Sequence, residues 1–207
     1  MKVLVTGGSG TLGHYVLRDL INYGHRVTDF SLNEPHVNEV QFIQGNVLQE
    51  DQLGRAARGC DAIVHMAGIA GPARTSPEEL INVNVVGTTC VLEVAVQEGV
   101  QKVVLASSRT AFGFGFQRNE ITPRYFPIDE EHISEPQDEY GLSKLLSEIV
   151  CKRYSDTFGL KTICLRLCDC WYLDREGAEL TVLSSWARGL SVEELWESRY
   201  QKMIKKG

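Results

Sequence analysis

Short apolar segments that resemble β-strands alternate along this chain with segments whose apolar residues recur every three to four positions. The strand-like segments are Val3–Val5, Arg26–Phe30, Val40–Ile43, Ala62–Met66, Lys102–Ala106 and Thr162–Leu167. Strands that alternate with helices are joined by right-handed crossovers, which place helices on both faces of a parallel sheet. The sequence therefore predicts an α/β fold, a doubly wound parallel sheet of about six strands.

Helical periodicity is found in three places. One helix is predicted to begin at Ser76, which can cap it, with Pro77 at the first helical position, and to run towards Gly99. Another is predicted to stop near Gly159. Apolar stripes mark this helix and the first one: Leu142, Leu145, Leu146, Ile149 and Val150 in the former, and Leu12, Val16, Leu17, Leu20 and Ile21 in the latter.

Size and charge narrow the class of protein. The 207 residues, 43% hydrophobic and 23% charged, suit one main globular domain. A net charge of −6 argues against binding to nucleic acid or anionic lipid, and no apolar run approaches the roughly 20 residues that a membrane span requires. Without a signal peptide, six cysteines suggest free thiols and a cytoplasmic protein.

The periodicity becomes irregular after Cys170. We therefore expect a main domain over residues 1–170 and a short extension over residues 171–207. Within the extension, Ser191-Val192-Glu193-Glu194 resembles the start of a helix whose apolar face includes Leu195, Trp196, Tyr200, Met203 and Ile204. A surface helix that docks on the domain is favoured over a partner-binding helix.

The first turn carries glycines three residues apart, at Gly7, Gly10 and Gly13. Between a strand and a helix, this spacing allows a tight turn, close approach of a diphosphate, and packing of the helix on the strand. The N–H groups of Thr11, Leu12 and Gly13 would then face the phosphates at the positive end of the helix dipole. The sequence predicts a dinucleotide site here, and a plain strand–helix turn is the alternative.

The choice of dinucleotide depends on the end of the second strand, where an acidic residue would bind the adenosine ribose of NAD. That position holds Ser31, and Asp29 lies two residues earlier on the same face. Either NAD or NADP is therefore possible. After the third strand, the Asn46 carbonyl could accept a hydrogen bond from adenine and Val47 could pack on its ring, unless this is a simple turn.

A proton-transfer pair is predicted at the start of the last long helix. Tyr140 and Lys144 are four residues apart, so both project from one helix face. An ammonium group stabilises a phenolate, which lets a tyrosine take a proton from a substrate hydroxyl. Ser107 and Ser108 follow the strand that ends near Ala106, where a hydroxyl can hydrogen-bond the reacting oxygen.

Together these motifs resemble the extended short-chain dehydrogenase/reductases, in the NAD(P)-dependent epimerase/dehydratase group. The resemblance covers about residues 1–166. It is carried by Thr6–Gly13, Asp61–Gly68, Asn84–Thr88, Ser107–Gly113 and Tyr140–Lys144.

The resemblance implies a Rossmann-like fold and a role for each matching residue. Ser108 would orient the substrate, Tyr140 would act as acid and base, and Lys144 would bind the nicotinamide ribose and lower the pKa of the tyrosine. Ala67 and Gly68 would border the cofactor, with Asn84 holding the active-site helix. The cofactor would be NAD or NADP, with NAD slightly favoured.

The implied reaction is oxidoreduction or epimerisation at a hydroxyl of a sugar, sugar acid or nucleotide sugar. Phe112–Phe116, followed by Pro127-Ile128-Asp129-Glu130, also resembles the branch with sugar-acid dehydrogenases. Relatives often form homodimers through the two long helices. Members of the group usually extend well beyond residue 207, so the substrate lobe is expected to be reduced. A catalytically silent dinucleotide-binding sensor, or a fragment without a complete substrate pocket, is the alternative.

Other residues are interpreted as structural, and no metal site is predicted. Cys164, Cys168 and Cys170 lack a second ligand pair at zinc spacing. His65 is expected to be a packed, hydrogen-bonded histidine. The remaining histidines are expected at the surface: His14, His25, His36 and His132. Three loop arginines could hold a substrate anion but are interpreted chiefly as surface charges: Arg74, Arg118 and Arg124.

Overall fold

A computed structural model describes residues 1–71, 75–116, 118–119, 121–168, 170–173 and 180–182. The chain divides into two compact units, Met1–Arg166 and Leu167–Gly207. In the second unit, a short strand, Trp171–Leu173, pairs antiparallel with another, Leu180–Val182. The extension helix expected after Ser191 lies outside the described residues.

The first unit is built on a six-stranded parallel sheet, which confirms the predicted fold class. Its strands are β1 (Lys2–Thr6), β2 (Arg26–Ser31), β3 (Gln41–Gln44), β4 (Ala62–His65), β5 (Lys102–Ser108) and β6 (Lys161–Leu167). The spatial order is β3-β2-β1-β4-β5-β6. The chain therefore builds outwards from β1 in one direction and then returns to build in the other. Ligands of such sheets bind at the carboxyl ends of the strands, beside this reversal.

Helices connect the strands. They are α1 (Thr11–Asn22), α2 (Glu50–Ala57), α3 (Pro77–Ile81), α4 (Gly87–Gln97) and α5 (Glu139–Phe158). Ser76 caps α3 by accepting a hydrogen bond from the Glu79 N–H at 3.2 Å, as its spacing predicts. Gly159 ends α5 in the left-handed conformation, with φ of 68°.

The central strands β1, β2 and β4 are largely buried on both faces, as a parallel sheet covered by helices requires. Leu4 of β1 belongs to the larger core cluster, together with Phe30, Ile63 and the apolar residues of α4. Its neighbours Val3 and Val5 point to the other face and pack with Leu17 of α1. The alternating side chains of one central strand thus contribute to both cores.

A π-helical turn, Asn82–Val86, joins α3 to α4, which the sequence did not predict. The joined helix, Pro77–Gln97, is long and apolar enough to cross a membrane by length and composition alone. This differs from the expectation that no such run exists. Half of its most apolar window is buried in this unit, as befits a helix that covers a sheet.

The long helix α5 packs its small and polar face inwards. Its buried residues are Gly141, Ser143, Lys144, Ser147, Cys151 and Tyr154. In the apolar stripe predicted for this helix, Leu142 is 42% exposed and Ile149 is 55% exposed, whereas Val150 packs against the larger core.

Candidate functional site

The glycine turn between β1 and α1 is packed so tightly that side chains do not fit. Gly7 has φ of +79°, and a methyl group there would lie 2.5 Å from the Ala67 nitrogen. A methyl group on Gly13 would lie 2.5 Å from the Gly7 carbonyl oxygen, and one on Gly10 would lie 3.2 Å from it. The turn therefore has no side chain at these three positions, as the close approach of a diphosphate requires.

The start of α1 is suited to an anion. Gly10 occupies the N-cap position of this fully described helix and supplies no side-chain hydrogen bond, and the first turn carries no acidic residue. The first N–H groups of a helix need partners from outside it, and they lie at the positive end of its dipole. The residues of this turn thus fit the diphosphate of a dinucleotide.

Asp29 lies beneath the glycine turn rather than at its rim. It is fully buried, and its Oδ1 accepts hydrogen bonds from the Gly8 N–H at 2.9 Å and from the Ser31 hydroxyl at 2.8 Å. Burial raises the pKa of this carboxyl, against the effect of both hydrogen bonds. Ser31 Oγ in turn accepts from the Ser9 N–H at 3.3 Å. Asp29 and Ser31 therefore stabilise the glycine turn by hydrogen bonds to the backbone of Gly8 and Ser9.

Asn46 and Val47 follow β3, which ends at Gln44. The Asn46 carbonyl accepts from the Gln49 N–H at 2.9 Å, and its side-chain oxygen accepts from the Leu48 N–H at 3.0 Å. Val47 is only 6% exposed and packs in the larger core. Its side chain has little surface to offer an adenine ring, so the packing role expected of it is not supported by this placement.

Ala67 and Gly68, at the end of β4, connect the glycine turn to the helix α5. Ala67 backs Gly7, as described above, and a methyl group on Gly68 would lie 2.9 Å from Asn84 Oδ1 and 3.7 Å from Lys144 Nζ. The two adjacent residues Ala67 and Gly68 therefore link the predicted dinucleotide turn to Lys144 of the predicted proton-transfer pair.

Asn84 lies in the π-helical turn and holds the loop after β4 to α5. Its Oδ1 accepts from the Ile69 N–H at 2.8 Å, while its Nδ2 donates to the Ile69 carbonyl at 3.1 Å and to Ser143 Oγ at 3.0 Å. Ser147 Oγ is 3.0 Å from the Asn84 carbonyl oxygen. The sequence analysis missed Ser143 and Ser147, although their spacing places them on the Lys144 side of α5.

Lys144 is buried in contact with the end of β5. Its Nζ donates to the Ala106 carbonyl at 2.9 Å and lies 5.7 Å from the centre of the Tyr140 ring. Burial lowers the pKa of Lys144 to about 8, although the Glu148 carboxylate acts in the opposite direction. The Lys144 ammonium therefore lies beside Tyr140, and its pKa of about 8 is close to neutral pH.

The two serines at the end of β5 have different partners. The Ser107 hydroxyl donates to the Glu148 carboxylate. Ser108 is 9% exposed, and its Oγ caps the following turn, Arg109–Phe112, by accepting from the Thr110 N–H at 3.2 Å. Ser108 thus lies at the carboxyl edge of the sheet, where the sequence places it.

His65 is the packed histidine that the sequence predicts, with 1% exposure. Its Nδ1 is 2.7 Å from Thr6 Oγ1, and its Nε2 is 3.1 Å from Thr88 Oγ1. Because the Thr88 hydroxyl donates to the Asn84 carbonyl at 2.6 Å, the imidazole donates from Nε2 and accepts at Nδ1. Burial, followed by the charge of Lys144, lowers the pKa of His65 to about 3.

The expectation of a surface position is wrong for His132, which is only 4% exposed. Its Nε2 accepts from the Arg124 N–H at 3.0 Å, and its Nδ1 donates to the Ile133 carbonyl at 2.9 Å. The rings of Phe112, Phe114 and Tyr125 surround it, with centroids 5.0 to 5.8 Å away. This histidine holds together the long loop before α5. The loop sequence is largely polar, so the small aromatic cluster within it was not predicted.

Two of the three loop arginines, which are interpreted chiefly as surface charges, form exposed ion pairs. Arg118 pairs with Glu139 at 3.0 Å and Arg124 pairs with Glu135 at 3.2 Å, both exposed, while Arg74 lies outside the described residues. No cluster of three or more His, Cys, Asp or Glu residues with metal-binding geometry occurs within the described ranges.

Comparison with known proteins reveals a clear similarity. Residues 3–192 match the model of the NAD dependent epimerase/dehydratase family. Uronate dehydrogenase of Pseudomonas syringae pv. tomato is 31% identical over 169 residues, which cover 80% of this chain and 58% of that protein. UDP-glucose 4-epimerase of Halalkalibacterium halodurans is 27% identical and covers 86% and 52% of the two chains.

Solved structures show the same fold. UDP-glucose 4-epimerase from Brucella ovis, in complex with NAD, superposes with a TM-score of 0.76 at 26% identity and covers 86% of this chain and 55% of that chain. This chain spans about half the length of the curated relatives that it matches.

Proposed function

This chain belongs to the NAD dependent epimerase/dehydratase family, and we propose that it oxidises, or inverts, a hydroxyl-bearing carbon of a sugar, sugar acid or nucleotide sugar. One observation carries the proposal: Ala67 and Gly68 bring the glycine turn and Lys144 together at the carboxyl edge of the sheet. The relatives named uronate dehydrogenase and UDP-glucose 4-epimerase support the substrate class.

In the proposed mechanism, Tyr140 takes the proton of the substrate hydroxyl at its phenolic oxygen. Lys144, held by the Ala106 carbonyl, supplies the positive charge that stabilises the phenolate. Ser108 hydrogen-bonds the reacting oxygen and so orients it towards Tyr140. A bound nicotinamide dinucleotide supplies the hydride acceptor for this chemistry.

The glycine turn and the start of α1 are proposed to hold the dinucleotide, through Gly7, Gly10, Thr11, Leu12 and Gly13. Ala67, Gly68, Asn84, Tyr140 and Lys144 would border its nicotinamide end, and Ser31 and Asn46 its adenosine end. We favour NAD over NADP, because residues 31–35 carry no lysine or arginine for an added phosphate and Glu34 is acidic.

Residues 1–170 are proposed to act as the dinucleotide-binding and catalytic domain, and residues 171–207 as a short extension. We also propose that the protein is cytoplasmic and that it forms a homodimer through the two long helices. Exposed apolar residues on α5 support the dimer.

Substitution of Tyr140 by Phe tests the proposed chemistry. The variant keeps the ring but loses the hydroxyl, so turnover should fall by at least about a hundredfold while dinucleotide affinity stays within about twofold. Turnover is measured as reduced-nicotinamide absorbance over a panel of uronates and nucleotide sugars, with product stereochemistry determined for epimerisation. Wild-type rates in this variant would exclude Tyr140 from the mechanism.

Binding is tested separately by calorimetry with NAD and NADP. Gly10→Val should abolish the heat of binding, because its side chain fills the space beside the Gly7 carbonyl. Tight binding by that variant would refute the assignment of the turn. Binding without turnover of any panel compound would favour the catalytically silent sensor.

A further inference from the structure

One turn beyond Lys144, α5 carries Glu148, whose carboxylate forms a partly buried ion pair with Arg166 of β6. The two side chains are 13% and 21% exposed. Arg166 Nε donates to the two carboxylate oxygens at 3.0 and 3.1 Å, and Nη2 donates to Oε2 at 2.7 Å. A planar guanidinium that engages both oxygens fixes the orientation of its partner as well as its position.

Two further contacts tie this pair to the edge of the sheet. The Ser107 hydroxyl donates to the same carboxylate, so Glu148 links α5 to both β5 and β6. The guanidinium carbon of Arg166 lies 3.9 Å from the centre of the Phe112 ring, at the end of the turn that Ser108 caps. The pair therefore connects α5, β5, β6 and the turn after Ser108.

The spacing of these contacts matches that of the proposed site. Tyr140, Lys144 and Glu148 succeed each other at intervals of four along one helix face. Along β5, the Ala106 carbonyl accepts from Lys144, and the next residue, Ser107, donates to Glu148. Two neighbouring residues of the strand thus hold two successive turns of the helix.

We propose that Glu148, clamped by Arg166 and Ser107, is a positioning residue that fixes the register of α5 against β5, and with it Tyr140 and Lys144 relative to Ser108. Its kinetic consequences rest on the proposed function. The effect of Glu148 on the pKa of Lys144 does not depend on the proposed function, because it arises from contacts within the protein.

Because Glu148 is charged, its replacement should change the pKa of Lys144, which loss of a purely structural contact would not do. Its carboxylate raises the pKa of Lys144, against the burial that lowers that pKa to about 8. Replacing Glu148 by Gln removes the anion and leaves the Arg166 guanidinium without its counter-charge. Both changes disfavour the ammonium form of Lys144, so its titration should move to lower pH.

The experiment compares Glu148→Gln with the wild-type full chain. We expect kcat to fall by about 10- to 100-fold while KM for the dinucleotide stays within about twofold, as for other groups that orient a functional residue. The Lys144 ε-methylene, assigned by its absence in Lys144→Arg, should titrate at lower pH in nuclear magnetic resonance spectra. The matched control is Asp156→Asn, which breaks the exposed Lys152–Asp156 pair on the same helix and should change neither quantity.

Two other variants keep the test decisive if Glu148→Gln does not fold. Ser107→Ala removes one hydrogen bond and leaves the ion pair, so kcat should fall by about two- to tenfold. Arg166→Lys keeps the charge but not the planar pair or the ring contact, and should retain more activity than Arg166→Met.

The result that overturns the proposal is a Glu148→Gln protein with wild-type kcat, or with an unmoved Lys144 titration. If the variant does not fold, wild-type kcat in Ser107→Ala has the same force. Failure of the proposed function looks different: the wild-type chain would bind no dinucleotide and turn over nothing. The Lys144 titration would then still decide whether Glu148 acts on Lys144.

Discussion

His65 illustrates how a single buried residue can make the whole fold sensitive to acid. Its imidazole is neutral because it donates from Nε2 to Thr88 and accepts at Nδ1 from Thr6, with no solvent access to either nitrogen. A protonated ring would have to give up the bond from Thr6. Hydrogen bonding and burial therefore select the same protonation state.

We predict that the free energy of unfolding decreases as the pH falls from about 6.5 to about 3. Over this range the unfolded chain binds a proton at His65, whose ordinary pKa is 6.5, but the folded chain does not until about pH 3. Acid therefore favours the unfolded state, by a few kcal/mol at the lower limit. Urea unfolding of wild-type protein and His65→Gln across this range measures the difference.

The difference in unfolding free energy between those two proteins should shrink steadily with acid, because Gln does not titrate. His36→Gln is the matched control, since His36 is exposed, and its curve should run parallel to that of the wild type. Parallel curves for His65→Gln as well would show that His65 binds its proton equally in both states.

At the scale of elements, substitution by alanine is expected to have opposite effects at two helical glycines, Gly13 and Gly54. Gly13 is in the first turn of α1, where a methyl group would meet the backbone of Gly7 and Gly8 at 2.5 to 2.6 Å. Gly54 is inside α2, where the nearest atom to such a methyl group is the end of a side chain, Glu98 Oε1, at 3.7 Å.

Gly54→Ala should therefore stabilise the protein by about 0.5–1 kcal/mol, because alanine has the higher helix propensity and meets no obstacle. Gly13→Ala should destabilise it by about 1–3 kcal/mol, because backbone must move to admit the methyl group. It should also weaken dinucleotide binding. Urea unfolding and calorimetry on both variants make the comparison, and equal effects would contradict the close packing of α1 on the turn.

The sequence predicted elements far better than contacts. All six strands and the caps at Ser76 and Gly159 were recognisable because periodicity and capping residues are local signals. The π-helical turn at Asn84 was missed, since its sequence is that of an ordinary helix and its geometry depends on contacts with Ile69 and Ser143.

Burial of polar residues was the hardest property to predict from the sequence. The sequence left the role of Asp29 open and predicted a surface position for His132, yet both are buried among hydrogen-bond donors and rings from distant segments. The Glu148–Arg166 pair was missed for the same reason, because its partners are 18 residues apart on different elements.

At the scale of the whole molecule, the outward face of α5 stands out because it exposes apolar side chains that nothing in the described part of the first unit covers. Leu142 and Ile149 lie seven residues apart, so they share one face, and both are more than two-fifths exposed. Val86, the residue before α4, is 44% exposed, and α4 packs beside α5. An apolar face over two adjacent helices suits an isologous contact with a second copy of this chain.

We predict that the wild-type chain sediments as a dimer and that Leu142→Glu combined with Ile149→Glu sediments as a monomer. Two carboxylates on each protomer would have to be buried against their own copies across a two-fold axis, which costs far more than the lost apolar contact. Because neither side chain belongs to the core, the variant should keep its fold, as circular dichroism would show. Tyr23→Glu, at an 82% exposed position after α1, adds charge elsewhere and should leave the dimer intact. A double variant that remains dimeric would place the contact on another surface, and a monomeric wild type would remove the dimer from the proposed function while leaving the site chemistry untouched.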